Sequence, residues 1–244
     1  MISSISIVIP VYNSYASIQE LTVRLIKVLS LTASEYEIIM VDDGSKDKSI
    51  EKIKEVLAKN HAIKLISLTG NFGQQNAIMC GLRYAKGDYV ITMDDDLQNP
   101  PEEIAALMQE VEKGYDVVYG IPKVKQHSRT RNFGSLMADF LFDAVCGKPR
   151  SIRVSSFRVL KKEIVQSVIE EKSSFVYISA ATLKYTKNIG NVQVQHEVRR
   201  HGTSNYNLWK LLKLFYNIYF NYGRPSKLLV QNRRPQYVIK EMIL

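Results

Sequence analysis

Hydrophobic positions along this chain come in short runs, each ended by polar residues and followed by apolar residues at helical spacing. The run "ISIVIPV" at 5–11 is β-branched and apolar at successive positions, which predicts a buried strand. Tyr12, Asn13 and Ser14 end it, and Ile18, Leu21, Leu25 and Leu29 then mark one face of a helix over 15–30. A second strand, "YEIIMV" at 36–41, stops at Asp42-Asp43-Gly44-Ser45, and a helix carrying Ile50, Ile53 and Leu57 comes next. Strand "IKLISL" (63–68), a helical stretch (73–86) and strand "DYVITM" (88–93) repeat the alternation. A further helix begins near Pro100, and "DVVYG" (116–120) is one strand more. Strands alternating with helices predict an α/β domain with a doubly wound, mainly parallel sheet and right-handed crossovers.

In such sheets, ligands bind outside the carboxyl ends of the strands. The polar groups that end each run here, Tyr12 and Asn13, Asp42 and Asp43, Asn71 and Gly73, then Asp94 to Asp96, should therefore converge on one crevice. Three adjacent carboxylates repel one another unless a cation sits among them, and hard divalent metals take carboxylate oxygens. If the segment after 93 stays extended, Asp94, Asp96 and Gln98 point to one side, and Asp95 faces away. The neighbouring Asn99, Pro100, Glu102 and Glu103 read as a helix start and leave the triplet unexplained. The pair Asp42-Asp43 stays open between a ligand contact and a strand-to-helix turn capped by Ser45 or Asp47. Aspartate pairs at strand ends also occur in phospho-acceptor receiver domains. Arg199-Arg200 reads equally as a guanidinium grip on a diphosphate or as a solvated turn.

Charge sharpens this picture. The 244 residues carry a formal net charge of +9, which points to an anionic partner: nucleic acid, a phosphorylated substrate or a membrane surface. The cations concentrate after Gly120, from Lys123 to Lys162, and again from Arg199 onward. Cys80 and Cys146 lack metal-type spacing and read as reduced thiols of a cytosolic protein. The first residues have no basic region ahead of their short apolar run, unlike a signal peptide. No apolar run approaches the roughly 20 residues of a membrane span. In "NLWKLLKLFYNIYFNY" (207–222), Lys210, Lys213, Asn217 and Asn221 form one polar stripe against Leu208, Leu211, Leu212, Phe215, Ile218, Tyr219 and Tyr222. That pattern suits a helix lying in a membrane interface, or a core helix packed on the domain. The sequence thus divides into a catalytic domain, 1–206, and a basic amphipathic C-terminal segment, 207–244, peripheral to the membrane.

Taken together, "IVIPVYN", "IIMVDDGSKD", "NFGQQNAIMCGL", "GDYVITMDDDLQNPPEE", "SSFRVL" and "RRHGTSNYNLWKLLKL" resemble the family 2 glycosyltransferases of GT-A fold, and more closely their dolichol- and polyprenyl-phosphate sugar synthase branch. The similarity runs from about residue 5 to about residue 229. It implies a metal-dependent inverting transferase that moves a sugar from a nucleotide-sugar to a polyprenyl phosphate, with Mg²⁺ or Mn²⁺ as cofactor. By matching positions, Pro10, Tyr12 and Asp43 hold base and ribose, and Asp94, Asp96 and Gln98 hold the metal and the diphosphate. Arg131 and Ser135 receive the acceptor phosphate, and Arg200 and Ser204 close over the donor. Asp96 and Arg131 are the residues on which catalysis rests.

Three departures from the family pattern stand out: Ser14 where Glu is common, and Gly70 and Pro122 where Arg is common, the last leaving Lys123 or Lys125 as substitutes. The branch implies work at the cytoplasmic face of the membrane, in cell-envelope glycan synthesis. An anionic membrane surface and a membrane-protein partner or second copy are the implied partners, with no nucleic acid. Two other readings remain. One is a transferase acting on a sugar hydroxyl, which needs a general base, with Asp139 or Asp143 as candidates. The other is a non-enzymatic basic α/β binding module, nucleic-acid binding or receiver-like.

Overall fold

The computed structural model describes residues 2–123, 143, 145–197, 208–223 and 235–244. The first half follows the apolar runs closely. Strand β1 (Ile2–Val11) leads into helix α1 (Tyr15–Thr32), β2 (Ala33–Asp42), α2 (Ser49–Leu57), β3 (Ile63–Leu68), α3 (Gln74–Tyr84) and β4 (Tyr89–Thr92). A 3₁₀ turn (Pro101–Glu103) then runs into α4 (Ile104–Val111), and β5 (Val117–Pro122) follows. The second half adds β6 (Arg158–Lys161), α5 (Lys162–Ile169), α6 (Ile178–Tyr185), β7 (Ile189–Val194), α7 (Leu208–Tyr222) and β8 (Ile239–Ile243).

All eight strands share one sheet, in the order β7-β5-β6-β4-β1-β2-β3-β8. Pairs β1–β2, β2–β3, β1–β4 and β5–β7 are parallel, while β6 and β8 run antiparallel to their neighbours. The expected mainly parallel sheet is present, with helices on both faces. Parallel strands are covered on both sides, which is why they read as unbroken apolar runs. In β1 the two faces separate at period 2. Ile5, Ile7, Ile9 and Val11 pack under α1, α2 and α4 with Leu21, Leu25, Ile53 and Leu107. Val8 faces the opposite layer with Ile78 and Leu82 of α3, Val165 of α5, Ile178 of α6 and Ile218 of α7.

The strand order reverses at β1: β2 and β3 extend the sheet one way and β4 the other. The β1–β4 ladder ends at Val8–Thr92. Pro10 lies two residues further on and has no N–H with which to continue it. Past that point the two chain segments are free to part, which opens the crevice characteristic of a topological switch point. Gly44 makes the β2 exit possible. It sits at φ +73°, and a Cβ there would come within 2.6 Å of the Gly70 carbonyl carbon. Gly70 lies against the backbone of this tight turn.

Residues 207–244, read in the sequence as an appended segment, supply α7 and β8 to this same body. β8 pairs with β3 from Leu65–Ile243 to Leu68–Ile239. Helix α7 buries Ile218 and packs Leu214 and Tyr222 on the α6 side of the core. The polar stripe expected along α7 does not face water as a unit. Asn221 accepts a hydrogen bond from the Ser173 hydroxyl (3.1 Å), and its amide donates to the Asn217 carbonyl (2.8 Å). Tyr216 and Tyr219, 62% and 47% exposed, occupy the outer side instead. A helix apolar on three sides buries only one of them against a single domain. Among the described residues no helix is long and apolar enough to cross a membrane.

Candidate active site

The site is assembled where β1, β2, β3 and β4 end. Loop residues from these strands are stitched together by side-chain hydrogen bonds to backbone groups. Asn13, in the left-handed region at φ 54°, accepts from the Lys46 N–H (2.8 Å) and donates its own N–H to the Ser45 hydroxyl (2.9 Å). Asp42 is fully buried and accepts from the Ser45 N–H at 3.3 Å. Asp43, 3% exposed, accepts from the Phe72 N–H (2.7 Å) and the Gly73 N–H (2.9 Å), one on each oxygen. Burial raises both carboxyls above the ordinary aspartate range, and the bonds to backbone N–H groups oppose the shift. The role that the sequence left open for Asp43 is thus occupied in part: it fastens the β3–α3 loop to the end of β2. Any ligand contact must use the lone pairs that remain on its two oxygens.

The three consecutive carboxylates are each held differently. Asp94 is clasped from two sides, by the Gln74 amide on one oxygen (2.5 Å) and the Ser156 hydroxyl on the other (2.7 Å). Asp95 turns back toward β1. Its Oδ2 accepts from the Tyr12 N–H at 3.2 Å and from the Ser14 hydroxyl. Burial pushes this carboxyl up to about 6, against the pull of those two bonds, and the neighbouring charges of Asp94 and Asp96 add to the rise. Asp96 accepts the Gln98 N–H on Oδ1 (3.1 Å). Ser14, where a glutamate was expected, therefore serves as the partner of the middle aspartate.

The expected geometry of this loop needs correction. β4 stops at Thr92, and Leu97 is left-handed at φ 62°. Asp94, Asp96 and Gln98 are consequently not alternate residues of an extended strand. They belong to a curled loop whose turn is set by the buried Leu97. What fixes Gln98 is its carbonyl, which accepts the Glu197 N–H at 2.9 Å. Arg24 on α1 completes the anchorage, pairing with Glu102 at 2.6 Å and Glu197 at 3.4 Å. The chain that leads into Arg199-Arg200 thus leaves from the edge of the acidic loop.

Pro10, Tyr12, Asp43, Asp94, Asp96 and Gln98 are brought to neighbouring strand ends. Arg131, Ser135, Arg200 and Ser204 lie outside the described residues, as do Arg129, Lys125 and Asp139. Sequence reasoning missed Gln74, Ser156 and Ser14 as partners of the aspartates. The "NFGQQ" segment offered a weak signal for Gln74, and "SSFRVL" for Ser156. As donors for a cation, the carboxylates have the right chemistry, since each carboxylate has about four lone-pair sites and only some are used here. Among the described residues there is no group of three or more His, Cys, Asp or Glu side chains arranged to hold a metal. The residues fit a small hard cation held by one or two carboxylates whose shell is completed by substrate phosphates.

With this geometry in hand, likeness to known proteins becomes informative. The family model described as Glycosyl transferase family 2 matches residues 6–169. The undecaprenyl-phosphate 4-deoxy-4-formamido-L-arabinose transferase of Edwardsiella ictaluri is 37% identical over 220 residues, covering 89% of this chain and 67% of that protein. Its counterpart in Proteus mirabilis is 38% identical over 221 residues, with the same coverage. Among solved structures, glucosyl-3-phosphoglycerate synthase of Mycobacterium tuberculosis aligns over 98% of this chain and 86% of its own. In complex with Mn²⁺, UDP and glucosyl-3-phosphoglycerate its TM-score is 0.70 at 15% identity. Bound to Mn²⁺ and UDP-glucose it gives 0.68 at 16%. The shared fold is GT-A.

The anchoring of Asp43 yields a prediction. Asp43→Ala leaves two backbone N–H groups without their acceptor and should lower unfolding stability by roughly 2–4 kcal/mol in urea titration. Asp43→Asn, which keeps one acceptor oxygen, should lose less. Equal stability of Asp43→Ala and the wild type would show that the carboxylate is not a structural tie.

Proposed function

Because the chain belongs to glycosyl transferase family 2, we propose that it moves a sugar from a nucleotide-sugar to a polyprenyl phosphate of the undecaprenyl or dolichyl type, with inversion. That it is a glycosyltransferase follows from the family; the substrates are our reading. The observation that carries it is the placement of Asp94 and Asp96 at the switch-point crevice in a chain with relatives of 37–38% identity acting on undecaprenyl phosphate. Pro10, Tyr12 and Asp43 flank the carboxylates and take the nucleoside. Arg200 and Ser204 would close over the donor, as the family resemblance implies. Mg²⁺ or Mn²⁺, held by Asp94 and Asp96 with Gln98 nearby, would neutralise charge on the departing nucleotide diphosphate.

The acceptor side suits a lipid phosphate. A concavity of about 300 Å³ at the carboxyl ends of β5 and β7 is lined by Ile121, Pro122 and Val192 together with Arg153, Asn191 and Gln193. Apolar walls beside one cation match a prenyl group next to its phosphate. Arg131 and Ser135, on the segment leaving β5, would hold the phosphate itself and aim it at the anomeric carbon. A phosphate monoester is anionic at pH 7 and attacks without a strong base. The hydroxyl-acceptor alternative needs one, and Asp143 is tied in an ion pair to the buried Lys148 at 2.8 Å. The binding-module alternative gives way to the family assignment. The receiver reading also fails locally, since Asp42 and Asp43 are both buried and bonded to backbone.

Attachment to an anionic membrane surface fits the outer side of α7. Tyr216 and Phe220 meet at a tilt of 44° with 4.3 Å between centroids, Tyr219 meets Phe220 edge-on at 5.4 Å, and Lys213 is exposed beside them. Aromatic rings with a nearby cation favour the headgroup region.

Three outcomes test these readings. Asp96→Ala should abolish transfer and Asp95→Ala should lower it less, with chelation silencing the wild type. Activity that survives thorough chelation, or equal loss in both variants, defeats the metal assignment. Arg131→Ala should weaken acceptor use by roughly 1.5–3 kcal/mol while donor affinity holds; unchanged acceptor kinetics would move the phosphate site to Arg129 or Lys125. The protein should float with anionic vesicles, less so at high salt, and Tyr216→Ser with Tyr219→Ser should reduce flotation while leaving the melting temperature unchanged. Flotation indifferent to the pair removes α7 from the contact. Deletion of 207–244 is no substitute, because it takes β8 out of the sheet.

A further inference from the structure

Among the described residues Arg158 is the largest fully buried side chain, 1% exposed. Among the described residues it makes no ion pair, although a buried guanidinium ordinarily requires one. Its neighbours are neutral. Nε donates to the Thr92 hydroxyl at 3.0 Å, Nη1 donates to the Ser179 hydroxyl at 2.7 Å, and the guanidinium carbon lies 5.9 Å from the centroid of the Tyr119 ring. The antiparallel ladders pair Arg158 with Thr92 on one side and with Tyr119 on the other, so the three sit in one row across the sheet.

The bonds continue toward the site. Because Thr92 accepts from Arg158, its own proton is committed elsewhere, to the Ser156 carbonyl at 2.6 Å. Ser156 in turn donates its hydroxyl to Asp94 Oδ2 at 2.7 Å. The donors thus all point one way, from the guanidinium through Thr92 to the backbone of Ser156. The Ser156 hydroxyl then carries the constraint to the carboxylate. Hydrogen bonds aligned in series polarise one another and restrict rotation of each hydroxyl. Gln74 holds the other Asp94 oxygen at 2.5 Å.

We propose that Arg158 is a positioning residue for Asp94, acting through Thr92 and Ser156. It sets the carboxylate in the orientation that the metal and diphosphate require, and it places a fixed positive charge behind the acidic loop. The inference rests on the reading that Asp94 holds that metal–diphosphate unit. A guanidinium does here what a hydrophobic residue of similar size cannot: it only donates, so the Thr92 hydroxyl must accept from it and send its own proton to the Ser156 carbonyl. Preorganised ligands of this kind lower the reorganisation needed when a charged group arrives.

The test compares the full-length wild type with Asp94→Asn, Ser156→Ala, Thr92→Val and the double variant Thr92→Val/Ser156→Ala. The probe is Mn²⁺ with whichever of UDP, GDP, CDP and TDP the wild type binds best, followed by calorimetric titration and by Mn²⁺ electron paramagnetic resonance. Melting temperatures are taken without metal. Asp94→Asn should lose metal-dependent nucleotide binding, which supports the underlying reading. Ser156→Ala and Thr92→Val should each weaken it by roughly threefold to tenfold, the range expected for one hydrogen bond. The double variant should bind no worse than Ser156→Ala, because the two groups act in series. Wild-type binding by Ser156→Ala and Thr92→Val, beside a defective Asp94→Asn, overturns the relay and leaves the metal reading standing. Additive losses, or losses that follow the melting temperature and not the metal, also overturn it. Metal-independent binding in the wild type, or full binding by Asp94→Asn, overturns both.

Discussion

Mutual repulsion among Asp94, Asp95 and Asp96 is the constraint around which the crevice is organised. Two unit charges about 5 Å apart at an effective dielectric near 20 repel by roughly 3 kcal/mol. Each carboxylate therefore needs its own compensation, and the structure finds it in three directions. Asp95 is drawn back to Tyr12 and Ser14 at the end of β1, Asp94 sideways to Gln74 and Ser156, and Asp96 onto the backbone of its own loop. Separating the side chains in this way ties four strand ends together. Burial pushes the middle carboxyl, Asp95, up to about 6. The tie between Asp95 and β1 matters most for shape, because it spans the gap that opens once the β1–β4 ladder has ended at Val8–Thr92.

Much of this was legible in the sequence, for a physical reason. Strands β1 to β5 are covered on both faces, so they appear as apolar runs, and the carboxylates that follow them are conspicuous by contrast. The later strands carry no such signature. β6 is four residues long and begins with the buried Arg158; β7 includes Asn191 and Gln193; β8 is an edge strand in which exposed Lys240 and Met242 alternate with partly buried residues. The partners of the aspartates were hidden for a different reason. Gln74, Ser156 and Ser14 are neutral hydrogen-bonding residues lying 20, 62 and 81 positions away along the chain, and no local pattern announces a contact of that range. The period-2 reading of Asp94, Asp96 and Gln98 failed because it assumed a strand that stops two residues too soon.

Helix α7 shows the limit of pattern reading from another side. Its apolar residues cover most of the circumference, and the sequence alone could not say which part meets the domain. The structure divides them: Leu214, Ile218 and Tyr222 go to the core, and Tyr216 and Tyr219 go outward. Asn221, which looked like part of a solvated stripe, instead spends its side chain on Ser173 and on the Asn217 carbonyl of the helix itself. Core helix and interfacial helix are thus compatible descriptions of opposite sides of one element.

The direction of β6 explains how the two halves of the chain come to share a site. A parallel strand begins at the amino end of its neighbours, far from the crevice. An antiparallel strand begins at their carboxyl ends. β6 lies antiparallel between β4 and β5, so the residues just before it, Ser155 to Phe157, arrive beside the acidic loop. Gly120 accommodates them closely: a Cβ there would fall 2.7 Å from Phe157 Cδ1, while its N–H donates to the Phe157 carbonyl at 2.9 Å. Reversing one strand in an otherwise parallel arrangement thus carries the Ser156 hydroxyl to Asp94 and seats Arg158 directly behind it. It also lets the basic chain that leaves β5 return to the same end of the sheet. A parallel strand in that position would have delivered Arg158 to the opposite edge, and the carboxylates would face the crevice with nothing to orient them from the β5 side.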